Sequence, residues 1–373
     1  MVEYWRNPAE QLTTPERPLP DRFYKLMEHI NKTRKPRLME ISQSRVSPNE
    51  AASDRNTVRE KKARQFGDET EYANFFETAL PEVNNYDWFG ENVVILDRGH
   101  GDAADYNDLA VGTDLTLEME SPDGHDPIAL RIDVTKTKNL DGLERKTQNT
   151  LHEIENGRFS RTYFQSYYQE GPLQKINTAP SIVLHLTENQ LDELGSELYT
   201  ARLDNDPEKR KKAITGLEGS PLQLNLIDQA RGQLENQALY ALALFLEEVN
   251  NRWQRFNLNN DQKAELADIY DQVKTAHALQ HTGQEVTRLI EQVTKNKTLQ
   301  RLPRYHETIR LLNGISPWLN HFENLEQQKI GQLSDNTKQQ AEANASLSEA
   351  HRLLVGRPSQ IHSALPQRFG VAA

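Results

Sequence analysis

The segment TDLTLEMESPDGHDPIALRIDVTKTK, residues 113–138, joins two runs of alternating apolar and polar residues through a central SPDGHDP stretch. Alternation with a period of two is typical of a half-buried strand, and a turn rich in Pro, Gly and Asp between two such runs predicts a β-hairpin. The apolar positions of both strands share one face, which we expect to pack on a hydrophobic core; they are Leu115, Leu117, Met119, Ile128, Leu130, Ile132 and Val134.

The opposite face of the hairpin carries two aspartates, Asp114 and Asp133. A turn centred on Gly124 would pair Asp114 with Thr135. It would likewise pair Thr116 with Asp133, so the two carboxylates would lie one diagonal step apart, within about 7–8 Å. Because Asp is depleted in strands, two on one face indicate a site for a divalent cation. The alternative is a solvated pair that contacts Arg131 or a nearby lysine.

The composition bounds the class of protein. Of the 373 residues, 36% are hydrophobic and 27% charged, and the formal net charge is -11, which describes a polar, water-soluble protein and argues against a strong nonspecific nucleic-acid binder. The chain has no cysteine, which excludes disulfides and thiolate metal sites and favours a cytoplasmic location. No run of about 18 apolar residues is present, so we expect no membrane-spanning helix.

Hydrophobic periodicity divides the chain into four regions. Residues 1–56 are predicted to be an N-terminal extension with one short helix and a polar linker, and residues 57–220 a mixed α/β core. Residues 221–355 read as an all-α helical region and residues 356–373 as a disordered tail. Within the core we expect helices over 57–80, 140–154 and 189–202 and, besides the hairpin, strands over 92–97, 161–168 and 181–186.

Two motifs of the hairpin, GTDLTLEM and ALRIDVT, resemble the catalytic core of the PD-(D/E)XK nuclease superfamily. The hairpin is similar, more narrowly, to a group of uncharacterised bacterial proteins with GVD and IDVT motifs. The similarity continues through NGRFSRTYFQSY, TAPSIVLHL and SPLQLNLIDQARGQLENQALYA, so that it covers roughly residues 70–245. It implies an α/β fold in which a restriction-endonuclease-like mixed sheet is flanked by helices, here followed by an all-α helical C-terminal region.

The resemblance implies roles for residues of the hairpin and the helix after it. Asp114 and Asp133 would be the two acidic ligands of Mg²⁺ or Mn²⁺. Thr135 stands where the superfamily normally has a lysine, two residues after the second acid, and it would contribute a hydroxyl. The missing positive charge would come from Lys138, just past the strand, or from Lys146 on the following helix.

The superfamily also places a glutamate on the helix before the core strands. Glu77 and Glu71 are the candidates in this chain, and Glu77 is favoured because it lies near the packed side of the helix. Glu77 would then complete the metal site. Either residue alone fits an exposed helix glutamate equally well.

The aromatic residues after the second helix of the core have two interpretations. Tyr163, Phe164, Tyr167 and Tyr168 follow Arg158 and Arg161 closely in the sequence. Such a group can stack bases and bind phosphates of nucleic acid, or it can pack a sheet.

The function expected from these residues is Mg²⁺-dependent hydrolysis of DNA phosphodiester bonds. The alternative is a catalytically inactive scaffold that keeps the nuclease-like fold and binds a protein partner through its C-terminal helices, as the acidic charge and Thr135 favour. A third possibility is a structural helical protein in which the hairpin aspartates are incidental.

Overall fold

The structure is a computed structural model, and it describes residues 17–34, 37–64, 71–97, 99–121, 128–136, 140–169, 171–252, 259–278, 283–302 and 304–332. The predicted tail over 356–373 and the candidate Lys138 lie outside the described residues.

The described elements form a mixed α/β protein with a helical C-terminal region. The strands are β1 (Val93–Leu96), β2 (Leu115–Met119), β3 (Ile128–Lys136), β4 (Thr162–Phe164), β5 (Gln174–Ile176) and β6 (Ser181–Leu186). The helices are α1 (Asp21–Thr33), α2 (Pro48–Arg64), α3 (Glu71–Val83), α4 (Asp102–Tyr106), α5 (Leu140–Glu155), α6 (Glu188–Leu203), α7 (Pro207–Glu218), α8 (Pro221–Arg252), α9 (Asn260–Ala278), α10 (Gly283–Lys295) and α11 (Tyr305–Gln332). Across these ranges no helix has both the length and the hydropathy to cross a membrane.

The main sheet has four strands in the order β1-β2-β3-β6. The first three strands pair antiparallel, and β6 pairs parallel to β3 after the chain has returned through α5. The hairpin of β2 and β3 is confirmed, but the predicted register is wrong, because Leu115 pairs with Ile132 rather than Val134. The turn decides the register of a hairpin, and an error of two residues preserves the predicted faces.

The apolar face of the hairpin is buried as predicted, with Leu117, Leu130 and Ile132 fully inaccessible to solvent. Helices α3 and α11 contact β3, and α8 contacts β6. One hydrophobic cluster extends from Leu19, just before α1, to Leu325 on α11. The sheet and the C-terminal helices therefore bury apolar surface against each other.

Helix α8 also contacts the outer edge of β6 through the side chains of Gln229, Gln233 and Gln237. These residues are four positions apart, so they lie on one side of the helix. Their amides hydrogen-bond to main-chain groups of alternate β6 residues at distances of 2.7–3.0 Å, namely His185, Val183 and Ser181. Glutamine side chains thus occupy the place that another strand would take.

A small second sheet consists of β4 and β5. The strand predicted over 161–168 shortens to β4, and β5 was not predicted. A buried polar network ties this sheet to α2, since Tyr163 Oη and Lys175 Nζ both donate to Asp54 Oδ2 at 2.6 Å. The Lys175 ammonium also lies 4.7 Å from the centre of the Tyr106 ring, a favourable cation–π distance.

The region before the sheet differs from the predictions. Helix α2 begins at Pro48, inside the segment expected to be a linker, and the helix predicted over 57–80 corresponds to parts of α2 and α3. The sequence of α2, PNEAASDRNTVREKKAR, buries only Ala51, Asp54 and Val58 of the residues whose burial is described. So few apolar positions leave no helical periodicity to detect.

Glu197 on α6 is a partly buried acid, and burial together with the charge of Glu193 raises its pKa to about 7. A raised pKa means that the folded chain binds a proton that the unfolded chain has lost, so stability falls as the pH rises from about 4.3 to 7. We expect Glu197→Gln to raise the free energy of unfolding by about 1 kcal/mol at pH 8, and by less at pH 5. Urea unfolding at both pH values measures this, with Glu291→Gln on α10 as the exposed control. Equal stability of wild type and Glu197→Gln at pH 8 would contradict the prediction.

Candidate functional site

The two aspartates predicted to bind a metal lie side by side at one end of the hairpin. The observed register ends at the pair of Leu115 and Ile132, and Asp114 lies one residue before β2, so the predicted pairing of Asp114 with Thr135 is wrong. The Asp114 N–H donates to the carbonyl of Ile132 at 2.9 Å, and Asp114 Oδ2 accepts a hydrogen bond from the N–H of Val134 at 2.7 Å. The main chain of β3 therefore fixes both the backbone and the carboxylate of Asp114.

The turn that leads into β2 depends on Gly112. This residue has φ +71°, a left-handed conformation that favours glycine, and its N–H donates to the carbonyl of Asp108 at 2.9 Å. A Cβ at this position would lie 3.9 Å from Asp133 Oδ2, which is an ordinary contact. The backbone conformation, and not lack of space, therefore favours glycine beside the acidic pair.

The carboxyl groups of Asp114 and Asp133 hydrogen-bond to each other. Burial raises the pKa of Asp114 well above its usual range, and the negative charges of Asp133 and Glu77 raise it further. Burial also raises the pKa of Asp133, although the ammonium of Lys146 opposes this shift. Two neighbouring buried carboxyl groups do not both ionise easily, so without a bound cation the pair holds a proton to a higher pH than a free aspartate would.

Lys146 on α5 forms an ion pair with Asp133. Helix α5 follows β3 directly and brings this lysine to the polar face of the sheet. Two lysines were predicted to supply the positive charge that Thr135 cannot. Lys146 lies beside the acidic pair, whereas Lys138 lies outside the described residues. Thr135 is half-buried on the same face of β3 as Asp133, next to His185 of β6.

Of the two candidate glutamates, Glu77 is the one near the acidic pair. It is half-buried, its charge acts on Asp114, and it lines a cavity of about 540 Å³ together with Asp97 and His100. Glu71 instead accepts a hydrogen bond from the N–H of Leu19 at 3.1 Å. Within the described ranges, no three His, Asp or Glu side chains are grouped closely enough to hold a metal, so Glu77 as a third ligand stays a prediction.

The donor set offered to a metal is thus two carboxylates, one just before β2 and one on β3. Mg²⁺ commonly binds one or two protein carboxylates and completes its coordination with water and substrate phosphates. Asp114 and Asp133 fit this requirement.

Arg37 is a residue of this region that the sequence did not single out. It lines a narrow crevice with Asp97, Asp114 and Thr116. Burial lowers the pKa of Arg37, although the negative charges of Asp97 and Glu118 oppose this shift. One carboxylate oxygen of Asp97 is buried and has no hydrogen-bond partner among the residues that the structure describes. The only signal for Arg37 in the sequence is the basic run KTRKPR, which resembles an ordinary solvated surface.

The aromatic group after α5 divides between the two interpretations. Tyr163 and Phe164 are buried in the small sheet, as packing residues would be. Tyr167 is 68% exposed, and its N–H donates to Glu118 Oε2 at 2.6 Å. Tyr167 is therefore exposed on a loop anchored to the main sheet, and Tyr168 beside it is half-buried.

Comparisons of the chain with protein-family models, with curated proteins and with solved structures found no match. The functional assignment therefore depends on the side chains described above.

Proposed function

We propose that this protein is a metal-dependent nuclease with a restriction-endonuclease-like core that hydrolyses DNA phosphodiester bonds. The observation that carries the proposal is the contact between Asp114 and Asp133. Burying two acids against each other costs stability, and such paired carboxyl groups with raised pKa values are typical of functional sites.

The order of the elements around the pair also supports the proposal. Glu77 comes from the helix before the core strands, the two acids from the hairpin, and Lys146 from the helix after it. This is the order that the resemblance to the PD-(D/E)XK superfamily implies, with the lysine moved from the strand to the helix.

The chemistry assigns a role to each side chain. Asp114 and Asp133 would hold Mg²⁺ or Mn²⁺, which when bound would activate water and stabilise charge on the phosphate. Lys146 already lies at Asp133, where its ammonium would stabilise negative charge that develops on the scissile phosphate. The Thr135 hydroxyl can donate a hydrogen bond to a phosphate oxygen from the same strand face.

The direct test is nicking of supercoiled plasmid DNA by the full chain with Mg²⁺, with Mn²⁺ or with EDTA. We expect nicking with either metal and none with EDTA. Asp133→Ala should lower the rate at least about 100-fold, because loss of even an outer-shell partner of a metal costs about 10–100-fold. Asp105 lies on α4 and forms an exposed ion pair with Lys62 of α2, so Asp105→Asn is the matched control and should keep the wild-type rate.

A non-catalytic scaffold remains the second candidate, and Thr135 at the usual lysine position is the observation that favours it. This alternative predicts that wild type and Asp133→Ala nick plasmid DNA no faster than the buffer alone. Equal nicking by the two proteins would remove the nuclease assignment.

A further inference from the structure

A second cavity, of about 640 Å³, lies at the other end of β3 from the acidic pair. It begins at Ile128, five residues before Asp133, which corresponds to about 16 Å along a strand. Its walls are β5, the segment after β5 and one side of α11. The cavity is therefore separate from the proposed nuclease site, and its volume is within the usual range for small-molecule sites.

The polar side chains of this cavity are available to a ligand. Six of them have no side-chain hydrogen bond or ion pair within the described part of the chain: Gln174, Asn177, Thr178, His306, Arg310 and Asn313. A seventh polar residue, Lys175, forms ion pairs with Asp54 and Glu50. None of the described lining residues is Asp or Glu, although the chain has 55 of them. The charge available at the cavity is thus the positive charge of Arg310.

The walls of the cavity are fixed. A Cβ on Gly314 of α11 would lie 2.3 Å from the carbonyl oxygen of Thr178, so only glycine allows the helix to approach the segment after β5 so closely. The buried guanidinium of Arg131 also holds this segment, by donating to the carbonyl of Ala179 at 3.0 Å. A ligand would meet a preformed site and would not have to order it on binding.

The apolar lining residues come from β3, β5 and α11. They are Ile128, Ala129, Ile176, Ile309 and Pro317. An apolar surface beside several free amides and one arginine suits a ligand with a flat ring, polar ring edges and a negative charge. Asn and Gln side chains bind base edges through paired hydrogen bonds, and Arg binds phosphate.

We propose that this cavity binds a nucleoside monophosphate. Arg310, with His306 one turn away, binds the phosphate. The amides of Gln174, Asn177 and Asn313 bind the edge of the base, and the apolar residues contact its face.

Isothermal titration of the full chain with AMP, adenosine and ribose 5-phosphate, without metal or DNA, tests the proposal. We expect AMP to bind one site per chain, and adenosine and ribose 5-phosphate to bind at least about tenfold more weakly, since each lacks one set of contacts. Arg310→Gln should weaken AMP binding about tenfold, as expected for loss of a charge-assisted hydrogen bond. Arg288→Gln on α10 is the matched control, because Arg288 is also an exposed arginine without a described partner, and it should bind AMP as wild type does.

Three results would overturn the proposal. The first is no binding of AMP at about 10 mM, a concentration well above the dissociation constants of specific sites. The second is equal affinity for AMP and for either fragment. The third is equal affinity of wild type and Arg310→Gln for AMP. Because the titration needs neither cleavage nor a metal, its outcome is independent of the nuclease proposal.

Discussion

Replacing Asp114 with asparagine is expected to abolish metal-dependent cleavage and, without metal, to make the protein more stable. Asparagine has the shape of a protonated aspartic acid. It can keep the hydrogen bond from Val134 N–H and donate its own N–H to Asp133. It also removes the mutual repulsion of the two buried acids, so we expect a gain of about 0.5–2 kcal/mol in the free energy of unfolding, the range of common stabilising substitutions.

Stability should rise while cleavage falls, because a neutral amide removes the repulsion between the two acids but cannot bind a metal as a carboxylate does. Cleavage of plasmid DNA should fall at least about 100-fold, more than the cost of losing an outer-shell partner. Folded wild-type protein keeps a proton on Asp114 that the unfolded chain has lost, so without metal its stability should decrease as the pH rises above the usual Asp value of about 3.9. Asp114→Asn should lack most of this decrease.

Urea unfolding in EDTA from pH 5 to pH 8, together with plasmid nicking in Mg²⁺, measures both effects. Asp105→Asn serves again as control and should change each by little, because an exposed ion pair contributes about 0–1 kcal/mol. A loss of stability in Asp114→Asn would show that the pair is a structural element and not a strained site.

The second large effect is expected at Arg131, a fully buried cation in the middle of β3. Its guanidinium donates to both carboxylate oxygens of Glu153 on α5 and to the carbonyl of Ala179. Replacing Arg131 with methionine keeps most of the volume but leaves the carboxylate of Glu153, whose side chain is only 15% exposed, without its partner. We expect a loss of about 3–5 kcal/mol, as measured when one member of a buried ion pair is removed.

The double variant Arg131→Met with Glu153→Leu separates the ion pair from the packing. Replacing both partners by apolar residues is often neutral or stabilising, so the double variant should recover most of the stability that Arg131→Met loses. Lys32→Met, which breaks the exposed pair with Glu28 on α1, should cost no more than about 0.5 kcal/mol. A single variant within about 1 kcal/mol of wild type would mean that the buried pair contributes nothing net, contrary to the cost of an isolated buried charge.

The sequence predicts the hairpin faces well but not the pairing of its strands. Alternation of Leu115 and Leu117 with polar residues follows from burial of one face, and this signal is local. The register depends on how the turn is built. A turn centred on the glycine predicts a register that differs by two residues from the observed one. In the structure the Asp114 N–H donates to the carbonyl of Ile132, so Asp114 does not lie beside Thr135 as predicted.

The candidate site was predictable only in part for a similar reason. The aspartates were noticeable because Asp is rare in strands. Lys146 and Lys138 could not be separated, since the choice depends on how α5 crosses the sheet. Arg37 reaches the site from a segment far away in the chain, so its position follows from tertiary packing alone.

The glutamine contacts between α8 and β6 have a consequence for the integrity of the α/β core. An uncovered edge strand presents free N–H and C=O groups that recruit strands from other molecules, which leads to aggregation. Gln229, Gln233 and Gln237 occupy these groups with side chains that cannot propagate a sheet. The sequence changes near residue 220 from a mixed α/β pattern to a helical one. A chain truncated there would nevertheless leave the edge of β6 uncovered and prone to edge-to-edge association.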